Sequence, residues 1–169
     1  MSFPGSIAPD AGLLLRAMVI NIAPTNVIEI GSFLGASSIW VASAMAEYER
    51  SNKLHCIDLF PSVHNNNEWA PGVSFRDPLG FLTENMKKCG FEEKVEIHQG
   101  DSKMVIPRIA KKINAPVEFA IIDGDHSIDG CLADLHLIEP SVATGGFILL
   151  KVKIAYGIAV RNHSSRIAG

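Results

Sequence analysis

The sequence lacks any block of clustered lysine and arginine, and its 169 residues carry a net charge of −3. Proteins that bind nucleic acid usually concentrate basic side chains on one surface, because these groups displace counterions from the phosphates. The composition therefore argues against a nucleic-acid partner and leaves a small-molecule partner open.

Long hydrophobic runs and a cysteine framework are also missing. No apolar stretch reaches the roughly 18–20 residues that cross a bilayer, and residues 1–10 lack the basic and then apolar pattern of a secretory signal. The three cysteines, Cys56, Cys89 and Cys131, are odd in number and far apart, which excludes a disulfide frame and a zinc site built on cysteine. We interpret them as small buried hydrophobes, and we expect a cytoplasmic protein without a membrane partner.

Short apolar runs alternate with helical patterns along most of the chain. The patterns predict helices over 9–22, 35–49, 77–88, 103–113 and 128–138, and strands over 26–30, 53–59, 95–98, 117–122 and 147–150. Nearly continuous apolar strands joined by helices indicate a mainly parallel, doubly wound α/β sheet with helices on both faces. We expect one domain, with an N-terminal helix in 1–24, a core in 25–150 and a short divergent tail in 151–169.

Residues 60–76 have a different character from the rest of the chain. The segment contains Asn65, Asn66, Asn67 and Trp69 and shows no periodicity. Long irregular segments in compact domains are usually functional or mobile. The pattern is compatible with a lid over a substrate and equally with a surface excursion.

The residues that follow the first predicted strand form the pattern Glu-Ile-Gly-x-x-x-Gly, from Glu29 to Gly35. Ligands of such sheets bind beyond the carboxyl ends of the strands, where glycines allow a tight turn and close approach. Glu29 stands where the dinucleotide-binding fingerprint has its first glycine. An acid there disfavours a pyrophosphate and suits a ligand with an ammonium or sulfonium group. A plain turn between strand and helix is the alternative.

Polar residues also end the second and third predicted strands. Asp58 could accept both hydroxyls of a ribose, as the acid after the second strand does in nucleotide-binding folds, or it could cap a solvated loop. Asp101 and Ser102 could bond to an adenine edge, cap the next helix, or do both.

The fourth predicted strand is followed by four ionisable side chains within seven residues, namely Asp123, Asp125, His126 and Asp129. Clustered like charges destabilise a fold, so such a group is more typical of a functional site than of a structural need.

Together these motifs resemble the class I S-adenosylmethionine-dependent methyltransferases. Their small-molecule O-methyltransferase branch, with the macrocin O-methyltransferase and cephalosporin hydroxylase-like group, is the most similar, over about Ser6 to Leu150. The resemblance implies a Rossmann-like fold, S-adenosylmethionine as cofactor, and methyl transfer to a hydroxyl of a natural product, sugar or similar small metabolite.

Carried over position by position, the resemblance implies a complete cofactor site. The methionine part would be held by Glu29, Gly31, Ser32 and Ser37, with Gly35 shaping the loop. Asp58 would bind the ribose, and the adenine would lie beside Asp101 and Ser102.

The resemblance places the catalytic residues in the cluster after the fourth strand. His126 would be a general base, a role that suits an imidazole near neutral pH; a polar residue in the turn before a helix is the alternative. Asp123 would contact the methionine amine or bind a divalent metal such as Mg²⁺. However, Lys151 and Lys153 stand where metal-dependent relatives carry acids, and two ammonium groups would repel a cation. Lys151 could instead act on an acceptor oxyanion or be solvated.

The C-terminal part departs from the pattern of the family, which continues with a helix and an antiparallel strand pair. Residues 154–169 are too short for these elements, so we expect the last strands of the sheet to be missing. The exposed sheet edge would then be covered by the tail or by a second subunit in a homodimer.

Two further functions compete with an active methyltransferase. One is a non-catalytic module that binds S-adenosylmethionine but has lost its acceptor-binding part. The other, an NAD-linked oxidoreductase, is disfavoured by Glu29 and by the cluster between Asp123 and His126.

Overall fold

The structure is a computed structural model that describes residues 7–48, 51–64, 72–113, 115–152 and 155–160. Five α-helices and six strands lie in these ranges, and helices and strands alternate as far as the fifth strand. In chain order they are α1 Pro9–Ile22, β1 Asn26–Ile30, α2 Ala36–Met45, β2 Lys53–Asp58, α3 Pro78–Lys88, β3 Val95–Gln99, α4 Ser102–Lys112, β4 Val117–Ile122, α5 Ile128–Ile138, β5 Val142–Val152 and β6 Ala155–Val160.

The six strands form one sheet in the order β3-β2-β1-β4-β5-β6. Strands β3, β2, β1, β4 and β5 run parallel to one another, and β6 pairs antiparallel with β5. The strand order reverses between β1 and β4, so the loops after these two strands diverge to opposite sides and leave a crevice. The predicted doubly wound α/β fold is confirmed.

Alternate residues of the central strands pack into two separate cores, one on each face of the sheet. On one face Val27 and Phe119 pack with residues of α1 and α2, including Leu15 and Met45. On the other face, the strand residues pack with α4 and α5, including Ile28, Ile57, Ile106 and Leu135. Burial of each such aliphatic side chain contributes about 1.5–3 kcal/mol, so the covered sheet is a rigid base for the loops at its edge.

The C-terminal strands differ from the sequence prediction. Strand β5 begins at Val142 rather than at 147, and its pairing with β4 shifts register between Val117 and Phe119. The adjacent glycines Gly145 and Gly146 explain the difference, because glycine predicts a break but is also accommodated at a bulge.

Strand β6 corrects the expectation that no strand follows the fifth one. The sequence gives little sign of it, because Lys153 and Ile154 between the two strands are not the Asn-Gly type of pair that marks a tight hairpin. Since β6 covers the edge of β5, the exposed edge that suggested a homodimer is paired within the chain.

The positions of the cysteines test another expectation. Cys56 and Cys131 are buried as predicted, but Cys89 is exposed at the end of α3, so its interpretation as a buried hydrophobe was wrong. Asn65, Asn66, Asn67 and Trp69 lie outside the described residues. Within the described ranges, no helix is long and apolar enough to cross a membrane.

Candidate functional site

A cleft of about 590 Å³ lies at the carboxyl ends of the parallel strands. Its volume is typical of sites for small molecules and cofactors. Six of the predicted site residues line it: Gly31, Asp58, Asp101, Ser102, Asp123 and His126. Glu29, Ser32, Gly35 and Ser37 do not line the cleft. Glu29 lies in β1, Ser32 and Gly35 lie in the loop that follows, and Ser37 lies in the first turn of α2.

Gly31 is required by the close packing of the two loops that flank the crevice. Its φ is +89°, and a Cβ at this position would lie 2.3 Å from the carbonyl oxygen of Asp123. The N–H of Gly31 donates to Ile57, and the N–H of Asp123 donates to Ile30, each over 2.8 Å. The glycine therefore allows the loops after β1 and β4 to touch at the floor of the cleft.

Gly35 packs against helix α3. A Cβ there would lie 2.9 Å from the Cε atom of Met86 in α3, and its φ of +84° is left-handed. The absence of a side chain at Gly35 allows α2 to start against α3.

Glu29 is fully buried behind the β1 loop. Its Oε2 atom accepts hydrogen bonds from the hydroxyls of Ser32 and Ser38. Its Oε1 atom is buried and has no hydrogen-bond partner of acceptable geometry among the described residues. Burial raises the pKa of Glu29, the hydroxyls of Ser37, Ser38 and Ser32 oppose that rise, and the negative charge of Asp123 adds to it. Ser37 is therefore a neighbour of this carboxylate.

Asp58 holds the loops after β1 and β2 in place. Its Oδ2 atom accepts the N–H of Phe33 over 2.8 Å, and its Oδ1 atom accepts the N–H of Phe60 over 2.7 Å. Both phenylalanines have left-handed φ values, 47° and 50°, which are uncommon outside glycine and are found at functional sites. Each carboxylate oxygen keeps a further lone pair for a hydroxyl donor in the cleft.

Asp101 and Ser102 begin helix α4 at the cleft wall. The carboxylate of Asp101 accepts the N–H of Lys103 over 2.9 Å and so caps the helix. The hydroxyl of Ser102 donates to Asp134 of α5 over 2.7 Å. The capping alternative for Asp101 is therefore correct, and both residues also face the cleft.

Asp134 is a cleft residue that the sequence prediction missed. It is buried, and this burial raises the pKa of its carboxyl group. The sequence feature that could have identified Asp134 is an acidic residue on the otherwise apolar side of a helix, between Ala133 and Leu135.

Asp123 contacts two ionisable side chains that also line the cleft, His126 and Lys151. Its Oδ1 atom lies 2.8 Å from Nε2 of His126, and its Oδ2 atom accepts a hydrogen bond from Nζ of Lys151 over 3.0 Å. Lys151 is thus paired rather than solvated. The neighbouring Asp125 caps the turn before α5, where the backbone N–H of Ser127 lowers its pKa.

The described residues around Asp123 do not fit a magnesium site. Lys151 places an ammonium group on one carboxylate oxygen, and His126 occupies the other. Among the described residues, a set of three His, Cys, Asp or Glu side chains close enough to share an ion is found elsewhere and does not include Asp123. Mg²⁺ prefers several oxygen ligands in octahedral geometry, which this arrangement does not provide.

Comparison with known proteins identifies relatives. The family described as "Methyltransferase domain" matches residues 28–151. A tapetum-specific methyltransferase from Arabidopsis thaliana is 26% identical over 92% of this chain and 58% of its own length. A catechol O-methyltransferase from Niastella koreensis is 21% identical over 71% of this chain and 46% of its own length.

Two solved structures share the fold. An O-methyltransferase from Bacillus cereus in complex with S-adenosylhomocysteine superposes with a TM-score of 0.69 at 18% identity, over 86% of this chain and 57% of that one. The O-methyltransferase of tomaymycin synthesis from Streptomyces achromogenes, in complex with S-adenosylmethionine, gives 0.68 at 19% identity, over 85% and 56%. The chain spans about half the length of the curated relatives it matches.

Proposed function

Because the chain belongs to the methyltransferase domain family, we propose that it binds S-adenosylmethionine in the cleft and transfers the methyl group to a hydroxyl of a small molecule. The observation that carries the proposal is the convergence of Gly31, Asp58, Asp101 and Asp123 on one cleft at the point where the strand order reverses. These residues come from the ends of four different strands, as a ligand that spans the sheet edge requires.

The residues of the cleft fit the parts of this cofactor. Asp58 would bind the ribose hydroxyls with the lone pairs left over from Phe33 and Phe60. Asp101 and Ser102 would lie beside the adenine. Gly31 would line the methionine part, with Glu29, Ser32 and Ser37 as a layer behind it.

Glu29 provides the electrostatic reason for a cationic ligand. A buried carboxylate with an unpartnered oxygen is unfavourable until a positive charge lies nearby. The ammonium and sulfonium groups of the cofactor would supply that charge. A pyrophosphate would meet repulsion from Glu29.

The cofactor, when bound, supplies a methyl group activated by a positively charged sulfur. The residues of this chain then have two tasks, to orient the acceptor hydroxyl and to take up its proton. Asp123 accepts a hydrogen bond from Nε2 of His126, which leaves Nδ1 with the free lone pair. Nδ1 of His126 would take the hydroxyl proton when the acceptor oxygen receives the methyl group.

Lys151 supports this assignment by balancing the charge of Asp123. With Nζ at 3.0 Å, the lysine offsets part of the carboxylate charge that acts on the imidazole. The arrangement lets Asp123 orient His126 while the net charge at the cleft wall stays low. This mechanism uses no metal ion.

For the acceptor we propose a hydroxylated natural product, sugar or similar metabolite. Curated relatives named for rhamnosyl and catechol O-methylation support a small acceptor. The Asp-Gly-Asp-His sequence from Asp123 to His126 supports the macrocin O-methyltransferase and cephalosporin hydroxylase-like branch in particular.

A second candidate is a module that binds the cofactor without catalysis. The chain matches about half of the relatives' length, and the residues proposed to hold the cofactor lie within the part that matches the family. Release of S-adenosylhomocysteine on a panel of hydroxylated acceptors separates the two, because only the enzyme turns over.

Binding of S-adenosylhomocysteine to Asp58→Asn tests the site. We expect at least about tenfold weaker binding, because the amide removes the charge and half of the acceptor capacity. Asp10→Asn, on α1 away from the cleft, is the matched control and should bind as the wild type does. Equal affinity of both variants would contradict the assignment of the cleft.

A further inference from the structure

A second group of polar side chains lies on the sheet away from the cofactor cleft. His55 is on β2, and Glu96 and His98 are on β3, the strand at one edge of the sheet. His55 pairs in register with Glu96, and Glu96 and His98 are two residues apart, so all three side chains project from the same face. None of the three lines the cleft.

The ligand atoms of this group lie at distances that suit a common metal ion. Nδ1 of His55 is 3.1 Å from Nε2 of His98. The carboxylate oxygens of Glu96 lie 3.8 Å from Nδ1 of His55 and 3.9 Å from Nε2 of His98. Metal bonds of about 2.1 Å in tetrahedral geometry place neighbouring ligand atoms roughly 3.4 Å apart. The 3.8 Å distance is to Oε2 and the 3.9 Å distance to Oε1 of Glu96, and one ligand atom from each residue lies within 4.8 Å of the other two, so small rotations of these side chains would bring three ligand atoms around one ion.

The protonation states of these groups are those that metal binding requires. Burial lowers the pKa of His55 to about 4, and it lowers the pKa of His98 as well, so both rings are neutral near pH 7. The hydrogen bond from Lys112 lowers the pKa of Glu96, which is therefore ionised. A hydrogen bond joins Nδ1 of His55 and Nε2 of His98, so the ring that donates it changes tautomer when both nitrogens bind an ion.

The surroundings explain how an ion could enter and what it would displace. His55 is buried, whereas the side chains of Glu96 and His98 are 32% and 18% exposed and provide access from solvent. Lys112 of α4 contacts Glu96, and Lys53 and Arg108 add positive charge nearby. The side chain of Lys112 is 68% exposed, so it can leave the carboxylate and extend into solvent.

We propose that His55, Glu96 and His98 form a binding site for a divalent transition-metal ion, with Zn²⁺ as the best match and solvent as the fourth ligand. Two imidazoles and one carboxylate are typical ligands of such ions, whereas Mg²⁺ and Ca²⁺ prefer oxygen alone. The bound ion joins the edge strand β3 to β2 and stabilises the end of the sheet. The site is independent of the proposed methyl transfer.

Zinc titration of the full chain tests the site, in a Cys89→Ser background because the exposed thiol of Cys89 would also bind zinc. We expect one ion per chain by equilibrium dialysis, a higher melting temperature with Zn²⁺, and the visible spectrum of tetrahedral Co²⁺ with cobalt as a probe. Glu96→Gln and His98→Gln should each weaken zinc binding by at least about tenfold. The control His136→Gln, an exposed histidine on α5, should bind as the parent does.

Lys112→Ala tests the site through a gain in zinc affinity, whereas Glu96→Gln and His98→Gln test it through a loss. Removal of the competing ammonium group should tighten zinc binding about three- to tenfold. No binding by the folded parent at about 100 μM Zn²⁺, or binding that is unchanged in Glu96→Gln, His98→Gln and Lys112→Ala, would overturn the proposal.

Discussion

Lys151 of β5 donates a hydrogen bond to Asp123 of the loop after β4, with 3.0 Å between Nζ and Oδ2. The ammonium group offsets the charge of the strand-end carboxylate. The same pairing leaves the other oxygen of Asp123 to orient His126.

Added Mg²⁺ should leave the affinity for S-adenosylhomocysteine unchanged. The reason is that Lys151 and His126 engage both oxygens of Asp123. Calorimetric titration with and without about 5 mM Mg²⁺ measures the effect at a concentration well above that of the protein. Tightening of more than about threefold would show that Asp123 binds the metal after all.

His126→Ala should lower kcat for methyl transfer by about 10²–10⁴-fold, because the base that takes up the proton of the substrate hydroxyl is removed. Binding of S-adenosylhomocysteine should stay within about twofold of the wild type, since His126 acts on the acceptor. His136→Ala, at an exposed position on α5, is the control. If His126→Ala keeps full turnover, His126 is a turn residue and another group takes the proton.

Glu29→Gln should change how stability depends on pH. Burial raises the pKa of Glu29 in the folded chain above its ordinary value of 4.5. The contribution of this group to the free energy of unfolding is therefore fully present below pH 4.5 and is lost as the pH rises through the folded-state pKa. The variant has no such loss. Urea unfolding at pH 5 and pH 7 should therefore show a smaller decrease in the free energy of unfolding for Glu29→Gln than for the wild type. Equal decreases would mean that Glu29 has no raised pKa in the folded chain.

Gly31→Ala should be far more destabilising than Gly90→Ala. Both glycines have left-handed φ values, but a Cβ at Gly90 meets nothing within 4 Å, whereas one at Gly31 would lie 2.3 Å from a backbone oxygen. We expect a loss of about 1 kcal/mol for Gly90→Ala and at least about 3 kcal/mol for Gly31→Ala. Denaturant unfolding measures both, and similar losses would show that the two loops are not in close contact.

Much of the fold could be predicted because strong local signals coincide with its boundaries. Pro9 and Pro24 bracket α1, and Pro140 follows α5; both helices have the predicted bounds. Gly145 and Gly146 had the opposite effect, since they predicted a break where β5 continues through a bulge. Local signals therefore fail where tertiary pairing overrides them.

The candidate site was predictable to the extent that it follows from topology. Parallel strands bring their carboxyl ends to one edge, so Asp58, Asp101 and Asp123 had to lie near each other once the strands were assigned. Contacts between separate elements could not be foreseen in this way. Ser102 with Asp134 requires the packing of α4 on α5, and His55 with Glu96 requires the register of β2 on β3.

Calorimetric titration of the wild-type chain with S-adenosylhomocysteine measures whether the cleft binds the cofactor product. We expect saturable binding of one molecule per chain with micromolar or tighter affinity, because Gly31, Asp58 and Asp101 line a single cleft and the buried Glu29 lies behind its β1 loop. Absence of binding by a chain shown to be folded by circular dichroism would contradict the cofactor site and the methyl transfer that depends on it.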